Sequence, residues 1–144
     1  MAVMSVELLG LALVGGVLGW LSLLLVRRLA PQGSDVERRI WALFLIVAAL
    51  SYIVFAAVRG ATPGWVLIEC AGLLIYGALA AQGIRAWPGW VGLGWLGHML
   101  WDAMPRLGQT DHVPTWYGPM CMGYDLVVGL SLLWPVLMKA LKRN

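Results

Sequence analysis

Long apolar runs separated by short polar stretches make up most of the chain. Five runs, at residues 8–26, 40–58, 65–81, 87–104 and 119–138, are each long enough to cross a hydrocarbon core of about 30 Å as a helix. Helices of a soluble bundle would carry a polar face, and these runs have almost none. The pattern therefore predicts an all-α membrane bundle of five transmembrane helices, forming one domain over residues 1–144.

The polar stretches differ in charge between the two predicted sides of the membrane. The first loop, the third loop and the C-terminus hold most of the basic residues: Arg27, Arg28, Arg38, Arg39, Arg85, Lys139, Lys142 and Arg143. The opposite side holds Arg59 and Arg106. By the positive-inside rule the N-terminus is predicted outside and the C-terminus in the cytoplasm, which agrees with an odd number of spans. We expect a multi-pass protein of the bacterial cytoplasmic (inner) membrane.

Composition supports this class. The chain is 61% hydrophobic and 12% charged, whereas soluble domains are roughly half apolar and a quarter charged. The net charge of +3 does not indicate nucleic-acid binding, because the basic residues flank apolar runs. The expected partner is the lipid bilayer, with a homo-oligomer left open. The N-terminal "MAVMSVELLG" lacks a basic region and carries Glu7, which predicts a retained first helix instead of a cleaved signal peptide.

Several residue types refine the predicted helices. Tryptophans near the ends of the runs predict an aromatic belt at the membrane interfaces: Trp41, Trp65, Trp87, Trp90, Trp116 and Trp134. Gly15 and Gly19 form a small-xxx-small pair that favours close helix packing. Pro135 is predicted to kink the fifth helix. Cys70 and Cys121 have no metal-finger spacing and are interpreted as apolar fillers, their pairing left open.

Four ionisable residues lie well inside the predicted spans: Glu69, His98, Asp102 and Asp125. A charge at mid-bilayer costs on the order of 2.5–3.5 kcal/mol, so such residues usually serve a function. With a rise of about 1.5 Å per residue, all four are predicted roughly 5–10 Å below the outer surface. Each one alone is also explained by a helix-to-helix hydrogen bond. Their common depth favours one shared, outward-opening polar pocket.

This layer is interpreted as a catalytic site. His98 and Asp102, four positions apart, share a helix face, so Asp102 is predicted to orient His98 as a base. Glu69 or Asp125 would supply a proton. Aromatic side chains at Trp95, Trp101, Tyr124 and Tyr52 are predicted to bind a lipophilic small molecule. The leading hypothesis is an enzyme for isomerisation, cyclisation or hydrolysis of that molecule, and the sequence identifies no cofactor.

Other functions fit the same residues. The carboxylates and the imidazole would suit zinc or iron, whereas a copper site at Met120, Cys121 and Met122 is disfavoured because neighbouring positions face different ways. A proton-coupled transporter would need polar stations in the inner half of the membrane. Only the serines at 22, 51 and 131 are candidates there. A small accessory subunit with a purely structural polar layer is the remaining alternative.

The stretch "PRLGQTDHVPTWYGP" is the longest predicted outer loop. It is expected to bring Asp111, His112, Trp116 and Tyr117 over the mouth of the polar layer. Such a loop can act as a lid or supply a second histidine. An Asp-His pair in a loop is more commonly solvated surface, which is the favoured interpretation here.

The segment from Gly97 to Asp125 resembles small uncharacterised bacterial multi-span proteins. The shared features are the His-x-x-x-Asp helix at His98 and Asp102, a proline-containing outer loop, and the Tyr124–Asp125 pair. This resemblance implies a membrane protein and no particular activity. The helix spacing is also similar to the His-x-x-x-Glu of the emopamil-binding sterol isomerase family, from which no catalytic role is carried over.

Overall fold

Five α-helices form the protein. The computed structural model describes residues 6–107 and 111–142, apart from the side chains of 105–107. The helices are α1 (Val6–Leu29), α2 (Asp35–Arg59), α3 (Pro63–Arg85), α4 (Gly89–Leu107) and α5 (Tyr117–Leu141). The described residues contain no strand, so the all-α prediction is confirmed.

Four of these helices, α1, α2, α3 and α5, are long and apolar enough to cross a membrane. They indicate a multi-pass membrane protein. Helix α4, with 19 residues, does not meet the same standard among the described residues. Its sequence holds His98, Asp102 and several glycines, which lower its mean hydropathy.

Helices α1, α2, α3 and α5 extend beyond both ends of the apolar runs that predicted them, whereas α4 begins at Gly89, two residues after the start of its run. Helix α2 begins at Asp35, five residues before the predicted Ile40. Ser34 caps it by accepting a hydrogen bond of 3.2 Å from the Glu37 N–H, and the Glu37 carboxylate accepts from the Gly33 N–H. The prediction of one long loop through Arg39 is therefore wrong, because capped helical turns continue outside the hydrocarbon region.

The order of contacts fixes the relative direction of the helices. Gly15 of α1 approaches Met120 of α5, and Gly19 approaches Tyr124. Residue numbers therefore increase in the same direction along both helices, which makes them parallel. Helix α4 is antiparallel to α5, because Gly92 approaches Leu133 near one end while Asp102 approaches Gly118 near the other. Helix α4 also contacts α2 and α3.

The bundle consequently has two distinct ends. We call the end with the α2–α3 and α4–α5 connections the His112 end. The end with the α1–α2 and α3–α4 connections is called the Gly33 end. Helices α1 and α5 both begin at the His112 end and finish at the Gly33 end.

The predicted small-xxx-small packing of α1 is present. A side chain at Gly15 would collide with the Met120 backbone, and one at Gly19 would lie 2.9 Å from the Tyr124 carbonyl oxygen. On the facing helix, a side chain at Gly123 would collide with the Ala12 backbone. Glycine at these positions lets the two backbones meet directly.

The tryptophans divide between the core and the surface. Trp41 is fully buried and packs edge-on against Trp95, with ring centroids 6.1 Å apart. The Trp95 Nε1–H donates to the Trp41 carbonyl oxygen at 3.2 Å. The belt prediction is therefore wrong for Trp41, because that side chain faces the bundle interior. Exposed tryptophans lie near helix ends at Trp87, Trp90 and Trp116, whereas the exposed Trp20 and Trp134 lie further inside α1 and α5.

Candidate acid–base site

Helix α4 carries His98 and Asp102 into the bundle interior, on one face and one turn apart. Their exposed fractions are 0% and 1%. Asp125 of α5 lies beside them and is 2% exposed. Because α4 and α5 are antiparallel, these residues reach the same level from opposite directions. We call His98, Asp102 and Asp125 the His98 cluster.

The His98 ring contacts both carboxylates of the cluster. Its Nδ1 atom lies 2.7 Å from Oδ2 of Asp125 and 3.5 Å from Oδ1 of Asp102. The sequence assigned the orienting role to Asp102 through its spacing on the same helix. Asp125 of the neighbouring helix is in fact the closer carboxylate.

Tyr52 of α2 completes the surroundings of Asp102. Its hydroxyl donates a hydrogen bond of 2.5 Å to Asp102 Oδ1. The Tyr52 ring also lies edge-on to the His98 ring, with centroids 5.8 Å apart. Tyr52 was predicted as a substrate wall, and its position joins it directly to the cluster.

Two polar atoms of the cluster have no hydrogen-bond partner within the described part of the chain. They are Nε2 of His98 and Oδ2 of Asp102, and both are buried. Buried polar atoms in proteins are nearly always paired. If Nδ1 carries its hydrogen toward Asp125, Nε2 of the neutral ring is a free acceptor. The cluster then has an uncommitted basic nitrogen and an uncommitted carboxylate oxygen.

Glu69 belongs to a separate polar group. Its Oε1 atom lies 3.1 Å from Nε2 of His112, and its Oε2 accepts a hydrogen bond of 3.1 Å from the Trp101 indole. Glu69 and His112 are 2% and 4% exposed. We call Glu69 and His112 the Glu69 pair. The four residues predicted to share one pocket are therefore divided, because Glu69 belongs to this pair and the other three form the His98 cluster.

Tyr76 of α3 contacts the rings of both groups. Its ring centroid is 5.0 Å from that of His98 and 5.9 Å from that of Trp101. Its hydroxyl donates to the Gly97 carbonyl oxygen at 3.0 Å. Sequence reasoning missed Tyr76, although its position seven residues after Glu69 places both on one helix face.

His112, in the connection before α5, lies over this region, as predicted, but it is not at the surface. His112 is buried against the Trp65 ring at 5.6 Å, so the surface interpretation is wrong. Tyr117 shares a hydrogen bond of 2.6 Å with Ser51. Ser51 therefore lies toward the His112 end, and its interpretation as a station in the inner half is also wrong.

The remaining predicted wall residues take different positions. Trp95 belongs to the apolar core beside Trp41 and also contacts Tyr124, with centroids 5.7 Å apart. Trp101 donates a hydrogen bond to Glu69 and packs against the Tyr76 ring. Cys70 and Cys121 are free and half-buried. Of the four predicted walls, only Tyr52 is hydrogen-bonded to the His98 cluster.

The ionisable side chains of both groups are at most 4% exposed. The cluster is thus enclosed by protein, whereas the sequence predicted a wet pocket opening outward. Rings from Tyr52 and Tyr76 flank His98, and the α4–α5 connection covers Glu69 through His112. This enclosure removes the cluster from bulk water.

The geometry also fits a metal ion. One ligand atom from each of His98, Asp102 and Asp125 lies within 4.8 Å of the others. An imidazole with two carboxylates is a donor set that suits zinc or iron.

Comparison of the chain with protein-family models, with curated proteins and with solved structures finds no match. Functional inference therefore depends on the geometry.

Proposed function

We propose that the chain is a membrane-embedded enzyme that uses the His98 cluster for acid–base chemistry on a lipophilic small molecule. The proposal rests on the surroundings of the two nitrogen atoms of the His98 ring. Its Nδ1 lies against Asp125 at 2.7 Å, while its Nε2 is buried and has no partner among the described residues. An imidazole with a carboxylate behind it and a free second nitrogen is suited to proton transfer.

His98 acts as the base in this proposal. Nε2 removes a proton from the substrate, and Asp125 stabilises the imidazolium that results. Asp125 is a positioning residue, since its contact is with Nδ1. The sequence predicted that Asp102 orients His98, whereas Asp125 has this role in the proposal.

Asp102 acts as the acid. Oδ1 accepts from Tyr52, and Oδ2 has no partner in the described residues. For the isomerisation of an alkene, Nε2 takes a proton from an allylic carbon while protonated Asp102 gives one to the far alkene carbon, and the double bond shifts. As the product leaves, the imidazolium gives its Nε2 proton to water and Asp102 takes a proton from water, which restores both groups and brings solvent hydrogen into the next turnover. Isomerisation and a cyclisation started by protonation of an alkene balance with this acid and base; hydrolysis also consumes a water molecule.

The surroundings favour a lipophilic substrate. The rings of Tyr52 and Tyr76 lie beside His98, and the outer surface of the helices is covered with exposed leucine and valine side chains. A site of this kind is reached most readily by a molecule already dissolved in the bilayer. Glu69 would be a structural neighbour, since His112 and Trp101 occupy both its oxygens.

The proposed topology has five spans, with the His112 end outside and the Gly33 end in the cytoplasm of a bacterium. Helix α4 would cross the membrane within the bundle, where His98 and Asp102 are covered by α2, α3 and α5. Parallel α1 and α5 support an odd number of crossings. The basic residues of the sequence concentrate at the Gly33 end, as the positive-inside rule requires.

Solvent deuterium provides the test. Membranes containing the parent protein, His98→Gln or Asp111→Asn would be incubated in heavy water, and their lipids analysed by mass spectrometry. In membranes with the parent protein or with Asp111→Asn, proton transfer to carbon should incorporate deuterium into one class of lipid. Asp111→Asn is the control, because it changes a carboxylate at an exposed position. His98→Gln should lose the label. Equal labelling with folded His98→Gln protein would refute the proposal.

A metal centre is the second candidate function, supported by the approach of the three ligand atoms within 4.8 Å. Elemental analysis of purified protein should then give about one zinc or iron per chain, lost in Asp102→Asn and Asp125→Asn. A metal content below a tenth of an atom per chain in the parent would contradict the metal centre. The proposal would then be acid–base chemistry without a metal.

A further inference from the structure

A cleft opens at the Gly33 end, far from the His98 cluster. It has a volume of about 70 Å³ and lies between the α1–α2 connection and the C-terminal half of α5. The lining residues that matter here are Ser34, Glu37, Arg38, Ser131 and Pro135. It contains none of the residues of the acid–base site.

Arg38 gives this cleft an unused hydrogen-bond donor. One terminal nitrogen of its guanidinium pairs with Asp35 at 2.5 Å, but its Nε–H is buried and has no partner among the described residues. The Asp35 side chain is 73% exposed, so water screens its charge. A buried guanidinium N–H requires an acceptor, and an anionic oxygen is the strongest one.

The buried carboxylate in the cleft does not compete for Arg38. Glu37 accepts the Gly33 N–H and also lies 3.5 Å from Nε of Arg27. Its charge is thus compensated on the side of α1. The hydroxyl groups of Ser34 and Ser131 add two further donors to the cleft wall.

Pro135 adds to the polarity of the same cleft. Proline has no N–H, so the Ser131 carbonyl loses its helical hydrogen-bond donor. Both residues line the cleft, which opens where basic residues surround the bundle end. A headgroup that carries hydroxyl groups as well as a phosphate would satisfy the carbonyl and Arg38 together.

We propose that this cleft binds the phosphate of an anionic lipid headgroup, with Arg38 as the main contact. The bundle end lies at the depth of lipid phosphates if the helices span the membrane, and the basic residues that surround this end attract anionic lipids to it. The inference concerns a binding site and does not depend on the proposed chemistry of His98.

The test uses the full-length protein in detergent, with tryptophan fluorescence to follow thermal unfolding. Phosphatidylglycerol should raise the midpoint of the parent protein by several degrees, and phosphatidylcholine should not. Arg38→Gln should lose at least three-quarters of the shift. Arg39→Gln, a neighbouring exposed arginine, should retain it.

Two variants separate binding from folding. Asp35→Asn removes the surface ion pair but leaves the guanidinium, so it should keep the lipid shift. Val136→Trp fills the cleft without altering a charge and should lose it. Inorganic phosphate forms a further arm: an equal shift with phosphate assigns the site to free phosphate and overturns the lipid assignment. A lipid shift that persists in both Arg38→Gln and Val136→Trp overturns the site itself.

Discussion

The Nδ1 atom of His98 lies 2.7 Å from Oδ2 of Asp125, although the two residues are 27 positions apart and on different helices. The nearer carboxylate is therefore supplied by α5 and not by the His-x-x-x-Asp turn of α4. This pairing makes the approach of α4 to α5 a condition for an oriented imidazole.

Replacing each carboxylate of the cluster by its amide should have unequal effects. Asp125→Asn removes the anion closest to His98, so we expect at least a tenfold loss of the His98-dependent deuterium exchange, with the Nε2 base weakened. In the scheme above, Asp102→Asn removes the acid and should abolish labelling of the product carbon. The measurement is the deuterium content of the lipid at matched protein levels. Retained labelling in Asp102→Asn would contradict its role as the acid.

Tyr52 should be more important than Tyr76 for the acid. Tyr52→Phe removes the hydroxyl that donates to Asp102, whereas Tyr76→Phe removes a bond to a backbone carbonyl and keeps the ring beside His98. We expect Tyr52→Phe to lower the exchange rate several-fold and Tyr76→Phe to change it less than twofold. The two variants are matched in chemistry, so equal rates would argue against a special function for the Tyr52 hydroxyl.

The Glu69 pair should contribute stability and not turnover. Among the described residues, His112→Ala leaves a buried carboxylate with only the Trp101 indole as a donor. Interhelical hydrogen bonds in membrane proteins are worth about 0.6–2 kcal/mol, which predicts a lower free energy of unfolding of that size. A double-mutant cycle with Glu69→Ala isolates the pair. A coupling energy near zero would show that the contact is not stabilising.

Close packing between α1 and α5 is tested by leucine substitutions. Gly15→Leu and Gly123→Leu place a side chain into the facing backbone and should reduce the yield of folded protein several-fold. Gly10→Leu is the matched control, since a side chain there would meet nothing within 4 Å. Size-exclusion chromatography in detergent measures the folded fraction. A yield from Gly15→Leu equal to that from Gly10→Leu would contradict the packing.

The orientation is tested by labelling single cysteines in intact cells, after Cys70 and Cys121 are replaced by alanine. A membrane-impermeant maleimide should react with Ala61→Cys, between α2 and α3, without disruption of the cells. Gln32→Cys, between α1 and α2, should react only after the cells are opened. The reverse pattern would place the His112 end in the cytoplasm.

The apolar runs were sufficient to predict the five helices, four of which are long and apolar enough to cross a membrane. Depth counting also placed His98, Asp102 and Asp125 near one level, where the structure brings them together. What the sequence could not determine was the rotation of each helix. That rotation turns Trp41 inward, gives Asp125 to His98 and separates Glu69 from both.

The partners of His112 and Ser51 also could not be predicted from the sequence. Neither has a distinctive neighbourhood along the chain, and each acquires its partner from another helix: Glu69 for His112 and Tyr117 for Ser51. Tyr76 differs from them, because its spacing from Glu69 along α3 already places it on the interior face. The contacts of His112 and Ser51 depend on packing between helices.

The glycine face of α1 has a consequence for biosynthesis. Helix α1 is made before α5, yet the backbone that fits against Gly15 and Gly19 belongs to α5. Helix α1 has few contacts with its neighbour α2, so its main partner is absent until α5 has been made. The glycine face of α1 can therefore be covered only after synthesis of the three helices between them.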